Sequence, residues 1–141
     1  MPTTQPELAG ALRTATMRLA RRLRHQRTDA SLSPTQLATL ATLARLGSAT
    51  PRELAGHEGV QPPTMTRVLA ALEERGLVRR APHPDDRRCH VLTPTPAATG
   101  MLLDDRRLRD AWLAARLAEL TDGERDALAR AVPVLERIGA A

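Results

Sequence analysis

The sequence predicts a mainly helical fold carrying one small β-hairpin, an α+β arrangement. Three observations carry that expectation. Capping boxes mark helix starts at Ser33-Pro34-Thr35-Gln36, Thr50-Pro51-Arg52-Glu53 and Thr121-Asp122-Gly123-Glu124; in each, the first side chain and the fourth satisfy orphan amides reciprocally. Apolar residues recur at steps of three and four along the outer thirds of the chain. Two short β-branched runs, 77–80 and 90–93, flank the charged loop Pro82-His83-Pro84-Asp85-Asp86-Arg87-Arg88.

The elements follow in order. A first helix over about 6–28 places Leu8, Leu12, Ala15, Leu19 and Leu23 on one stripe, with Arg13, Arg18, Arg21, Arg22, Arg24 and Arg27 on its other faces. Helices from Pro34 and Pro51 use proline at their first position, where the missing N–H costs nothing. Gly47 and the 56–59 region supply their stops. A further helix starts near Gln61-Pro62-Pro63 and ends at Gly76. After the hairpin, a long helix spans about 96–120, with Met101, Leu102, Leu108, Trp112, Ala115 and Leu120 recurring. The last helix runs from about 122, and Pro133 inside it is expected to kink or split it.

Composition narrows the function. The 141 residues (15.3 kDa) make one domain's worth of chain, 42% hydrophobic. No apolar run approaches the roughly 20 residues a membrane-spanning helix needs. No charged-then-apolar leader opens the sequence, so a cytoplasmic location is expected. The single cysteine, Cys89, excludes an internal disulfide. All 21 cations are arginine against 16 carboxylates, for a net charge of +5. That is a mild tilt toward nucleic acid. Trp112 is the lone aromatic, which argues against a single-strand binder built on stacking platforms. No P-loop, nucleophile elbow, dinucleotide turn or HExxH occurs, so no enzyme is expected. His25, His57, His83 and His90 show no metal-ligand spacing, and no cofactor or metal is expected.

The informative stretch is 50–92. Two helices joined by a turn holding Gly59 fit a helix-turn-helix. The second presents Thr64, Thr66 and Arg67 early, while Val68, Leu69 and Leu72 can face a core. Early side chains of such a helix enter a major groove, where hydroxyls and arginine reach bases or phosphates. Arg87 and Arg88 at the tip of the hairpin loop can lie along a narrow minor groove, whose potential attracts arginine. The other reading of these arginines is a solvated turn. Asp86 reads as an orienting partner for an arginine, because a bare carboxylate repels phosphate. Arg52 and Arg79 are additional candidate contacts. Helix-turn-helix plus hairpin makes a winged helix.

At these residues the chain resembles the MarR (multiple antibiotic resistance regulator) family of transcription factors. The family's wing pattern is matched at Asp86, Arg88, Leu92 and Thr95. It departs at Pro94, which predicts an early end to the second strand. Gly76-Leu77-Val78-Arg79-Arg80 is similar to the family's exit into the wing. Gln61-Pro62-Pro63-Thr64-Met65-Thr66-Arg67 is similar to its recognition-helix start, with Gln61 in place of the usual hydroxyl cap. The resemblance spans nearly the whole chain. It implies a single winged helix-turn-helix domain over 1–141, with dimerisation helices in 6–30 and 96–141 and a DNA-binding lobe in 33–95. It further implies a homodimer on double-stranded DNA, with half-sites about one turn, roughly 34–36 Å, apart. Gln61, Pro62, Thr64, Met65, Thr66 and Arg67 on the helix, and Asp86, Arg87 and Arg88 on the wing, would carry the contact. Members mostly repress and are often released by small phenolic or anionic effectors.

Other readings stand beside these. The arginine-rich first helix could lie on a membrane surface, but it lacks an aromatic anchor, so a dimer seam is favoured. Oxidation-sensing relatives carry a cysteine in the first helix, absent here; Cys89 reads instead as a small, half-buried strand residue. A protein-interaction module and a small-molecule sequestering protein are the rival functions. The first predicts that Arg88→Ala changes nothing; the second predicts ligand binding unlinked to DNA.

Overall fold

The computed structural model describes residues 2–141. Its order is α1 (Gln5–Arg24), α2 (Pro34–Leu46), α3 (Pro51–Glu58), α4 (Pro62–Glu74), β1 (Val78–Pro82), β2 (His90–Pro94), α5 (Pro96–Ala118) and α6 (Asp122–Gly139). The chain divides into two compact units, one of Met1–Gln26 with Arg107–Ala141, the other of Arg27–Arg106.

The capping boxes form as the sequence dictates. Ser33, Thr50 and Thr121 each accept from the amide three residues on, and Gln36, Glu53 and Glu124 return the bond. A fourth box, Thr4 with Glu7, opens α1. The Thr4 backbone and hydroxyl hold the Glu7 carboxyl below its usual range.

The Arg27–Arg106 unit holds the core. α2 contributes Leu40 and Leu43, α3 Leu54, and α4 Val68, Leu69 and Leu72, all buried. Gly59 turns α3 into α4 with φ of 63°, a left-handed conformation that suits glycine. β1 and β2 pair antiparallel, Val78 opposite Pro94 and Pro82 opposite His90. Leu92 also exchanges backbone bonds with Ala49 (3.1 and 2.8 Å), which ties the hairpin to the α2–α3 connection. Thr95 fixes the exit: its amide donates to Leu77 O (3.1 Å), its hydroxyl donates to Gly76 O (2.7 Å) and accepts from Ala98 N (3.3 Å).

An early strand end at Pro94 and a split at Pro133 do not occur. β2 runs through Pro94, and β1 likewise includes Pro82. A two-stranded hairpin is edge on both sides, where a missing N–H breaks no ladder. α6 is not split at Pro133; it continues to Gly139. No residue of α6 is buried, so water can take the carbonyl that proline leaves free.

The other unit is unlike the first. α1 and α6 bury no residue, and α6 displays Leu128, Val132, Val134, Leu135 and Ile138 at 42–59% exposure. α1 shows Leu8, Met17 and Leu19 likewise exposed. Arg125 closes the α5–α6 corner, donating to Leu117 O (3.0 Å) and Leu120 O (2.6 Å) and pairing with Asp122. No described helix is long and apolar enough to cross a membrane.

Candidate nucleic-acid interface

α4 is two-faced by its own spacing. Met65, Val68, Leu69 and Leu72 fall at steps of three and four and are buried. Gln61, Pro62, Pro63, Thr66 and Arg67 are exposed, and Thr64 is half-buried. Met65 therefore leaves the set of candidate contacts. It is 0% exposed, because its place one turn before Leu69 puts a flexible apolar side chain into the core.

The start of α4 breaks the rule the other helices obey. Gln61 makes no side-chain cap bond, although it occupies the N-cap. Pro62 and Pro63 follow, so two of the first amides do not exist. Thr66 donates its hydroxyl to Pro62 O (3.0 Å). The Gln61 carboxamide has no internal partner among the described residues and is exposed beside two exposed proline rings. Glutamine has the donor–acceptor pair that matches adenine in the major groove, and apolar rings suit a thymine methyl.

The wing loop is shaped by its own polar groups. Asp86 Oδ1 accepts from Arg88 N (3.0 Å), Asp86 O accepts from Cys89 N (3.1 Å), and His83 N donates to Cys89 O (3.0 Å). Asp86 is thus a turn-former acting on backbone, and no arginine side chain pairs with it among the described residues. Arg87 and Arg88 are exposed, with no carboxylate partner among the described residues. Cys89 is exposed at the loop's end, before β2 begins, and so is not the half-buried strand residue expected.

At the wing base the two arginines separate. Arg79 is exposed, opposite Thr93, whereas Arg80 Nε donates to Glu73 Oε1 (2.6 Å) and ties β1 to α4. Arg52 is exposed in the first turn of α3. Arg80's structural role has no strong sequence signal, since its partner lies seven positions back on a different element. No group of three or more potential metal ligands occurs among the described residues.

These features have relatives. The MarR family profile matches residues 32–90, the stretch that holds α2 to the wing. An HTH-type transcriptional regulator of Mycobacterium tuberculosis is 44% identical over 128 residues, covering 91% of this chain and 90% of that protein. A crystal structure of a transcriptional regulator from Pseudomonas aeruginosa is 33% identical, covers 99% of each chain and superposes with a TM-score of 0.84. The multiple antibiotic resistance repressor MarR, at 21% identity and a TM-score of 0.76 over 93% of this chain and 94% of its own, shares the fold. With its α2–wing stretch matched by the family profile and its near-full length by these regulators, the chain belongs to the MarR family of helix-turn-helix transcriptional regulators, which are DNA-binding proteins and not enzymes.

Proposed function

We propose that this protein is a homodimeric repressor that reads a palindromic operator in double-stranded DNA, working in the cytoplasm. The observation that carries the DNA half is the division of α4: one face is buried, and Gln61, Pro62, Thr66 and Arg67 are exposed beside an arginine-tipped wing. In this reading α4 enters the major groove and reads base edges, with Thr64 at its margin. Arg87 and Arg88 grip the adjacent minor groove, and Arg52 and Arg79 contact the backbone. Asp86 holds the loop in shape.

The dimer half rests on α1 and α6, whose large apolar side chains a lone chain leaves in water. A second copy covers them through a two-fold interface, which makes 1–141 one functional domain, with 33–95 reading DNA and α1, α6 and the later part of α5, within 6–30 and 96–141, pairing the copies. A small-molecule effector acts in this scheme only by binding better to a dimer whose recognition helices are wrongly separated.

The test is selection of the purified protein on a random duplex pool at about 150 mM salt, which suppresses much non-specific binding. An inverted repeat with half-sites about one turn apart supports the proposal. Failure to enrich any motif, with binding that vanishes with salt, refutes it in favour of an interaction module.

A further inference from the structure

The segment between α1 and α2 makes a set of polar bonds that neither the core nor the DNA contacts explain. Asp105, on α5, is 1% exposed, yet its Oδ1 accepts from both the amide (2.7 Å) and the hydroxyl (2.9 Å) of Thr28. The next residue, Asp29, turns the segment by accepting from Ser31 N (2.9 Å) and Ser31 Oγ (2.5 Å). Asp29 Oδ2 also pairs with Arg75 Nη2, and Arg75 Nη1 donates to Ser31 Oγ (2.6 Å). Arg27 closes the segment on itself through Leu32 O (3.1 Å), while Leu32 is buried in the core. Arg75 is the C-cap of α4. A continuous chain of bonds thus runs from α5, through residues 27–32, to the end of α4.

We propose that residues 27–32 form a brace fixing the C-terminal end of α4 to α5, and that Arg75 is a positioning residue for base reading and not a phosphate contact. This rests on the DNA-reading function proposed above. Apolar packing by Met65, Val68, Leu69 and Leu72 holds α4 down but is non-directional. Directional bonds at its end fix rotation and tilt. From Arg75 back to Thr64 the helix is about 16 Å long, at roughly 1.5 Å per residue. A tilt of about 5° about that end moves Thr64 by roughly 1.4 Å, well beyond the few tenths of an ångström a hydrogen bond tolerates. The Arg80–Glu73 pair holds the same turn from the wing side, so the end of α4 is pinned between two elements.

The two roles for Arg75 predict opposite signs. If Arg75 gripped a phosphate, Asp29 would compete with DNA for it, and removing Asp29 would tighten binding. If Arg75 belongs to a brace, removing Asp29 loosens the reading helix. The experiment takes the operator selected by the wild-type protein and a scrambled duplex of equal length. It measures the affinity of wild type, Asp29→Asn, Arg75→Gln and the double variant of the two. Amide hydrogen exchange of α4 is followed in the same variants without DNA. Asp29→Asn is expected to lose about three- to tenfold on the operator, in keeping with a networked, partly exposed pair, and nothing on the scrambled duplex. Faster exchange in the last turn of α4 should accompany that loss, and the double variant should bind the operator to within about threefold of the weaker single variant, because both substitutions break one shared pair. Unchanged or tighter operator binding by Asp29→Asn overturns the brace, as does a double variant whose loss is the full sum of the two single losses. If wild type selects no operator, the DNA reading fails and the brace falls with it. If wild type selects one and Asp29→Asn leaves the exchange of α4 unaltered, the brace alone falls.

Discussion

Replacing Arg88 by alanine tests the wing with little risk to the fold. The side chain is exposed and has no carboxylate partner among the described residues, and the bond that shapes the loop comes from its backbone amide to Asp86. Alanine keeps that amide, so folding stability should change by no more than about 0.5 kcal/mol. The homodimer proposed above carries two wings, so the variant loses two cations from the DNA interface at once. Each neutralised phosphate contributes about 0.9 to the slope of log affinity against log salt, giving a loss of roughly 1.8. Between about 50 and 200 mM salt, a span of some 0.6 log units, the wild-type advantage should shrink about twelvefold. Filter binding or fluorescence anisotropy on the selected operator, over a series of salt concentrations, measures this directly. An unaltered slope with intact melting temperature would sink the wing contact and leave Arg88 a solvated turn residue.

Other consequences are testable on the same protein. Met65→Ala should cost about 2–5 kcal/mol by emptying a filled core site, while the folded fraction keeps its sequence preference; thermal melts and a repeat selection separate the two. Thr39 is fully buried and its hydroxyl finds no partner among the described residues, so Thr39→Val should stabilise the fold by about 1 kcal/mol in urea titration; a loss would mean the hydroxyl is satisfied after all. Ile138→Asp removes about 1.5 kcal/mol of apolar burial per copy, hence roughly a hundredfold in dimer affinity, which sedimentation equilibrium reports; an unchanged mass distribution argues against an α6 seam. The Ser31 hydroxyl and amide, with Arg75, hold the Asp29 carboxyl below its ordinary value. A depressed carboxylate stabilises fully above its unfolded pKa and loses that contribution as pH falls through the folded one. The difference in melting temperature between wild type and Asp29→Asn should therefore be flat from about pH 8 to 5 and shrink only below about 4.

What the sequence made legible is local. Hydroxyl and Glu or Gln at fixed offsets, with proline at the first position of α2 and α3, placed the starts of α2, α3 and α6, because a capping box is complete within four residues. The same grammar holds at Thr4–Glu7, so α1 starts at Gln5, one residue before the approximate start expected, and it ends at Arg24 and not near 28. Val68, Leu69 and Leu72 declared a buried face by spacing alone. The early strand end expected at Pro94 and the split expected at Pro133 failed because propensity describes an average strand or helix, whereas Pro94 sits in a two-stranded hairpin and Pro133 in a helix that buries no residue in the single chain. Met65 was legible as an α4 residue but not as a core one. Its neighbours on both sides are threonine, and a motif read as a block assigned one role to a helix that has two faces.

The brace was not legible at all, for a physical reason. Asp105 and Thr28 lie 77 positions apart, and Asp29 and Arg75 lie 46 apart, so no periodicity or capping rule joins them. Sequence shows only that Asp104-Asp105-Arg106-Arg107 blurs the stripe of α5. A carboxylate that interrupts an apolar stripe is costly unless something satisfies it, and Thr28 does so with two donors. The opposite anomaly sits at the other end of α4, where Gln61 declines to cap and two prolines withhold their amides. One violation is satisfied within the fold and the other is left open. In the proposed reading, a helix tied at its C-terminal end by the Asp29–Arg75 pair and carrying an unbonded Gln61 carboxamide at its N-terminal end is held where it must not move and available where DNA would meet it.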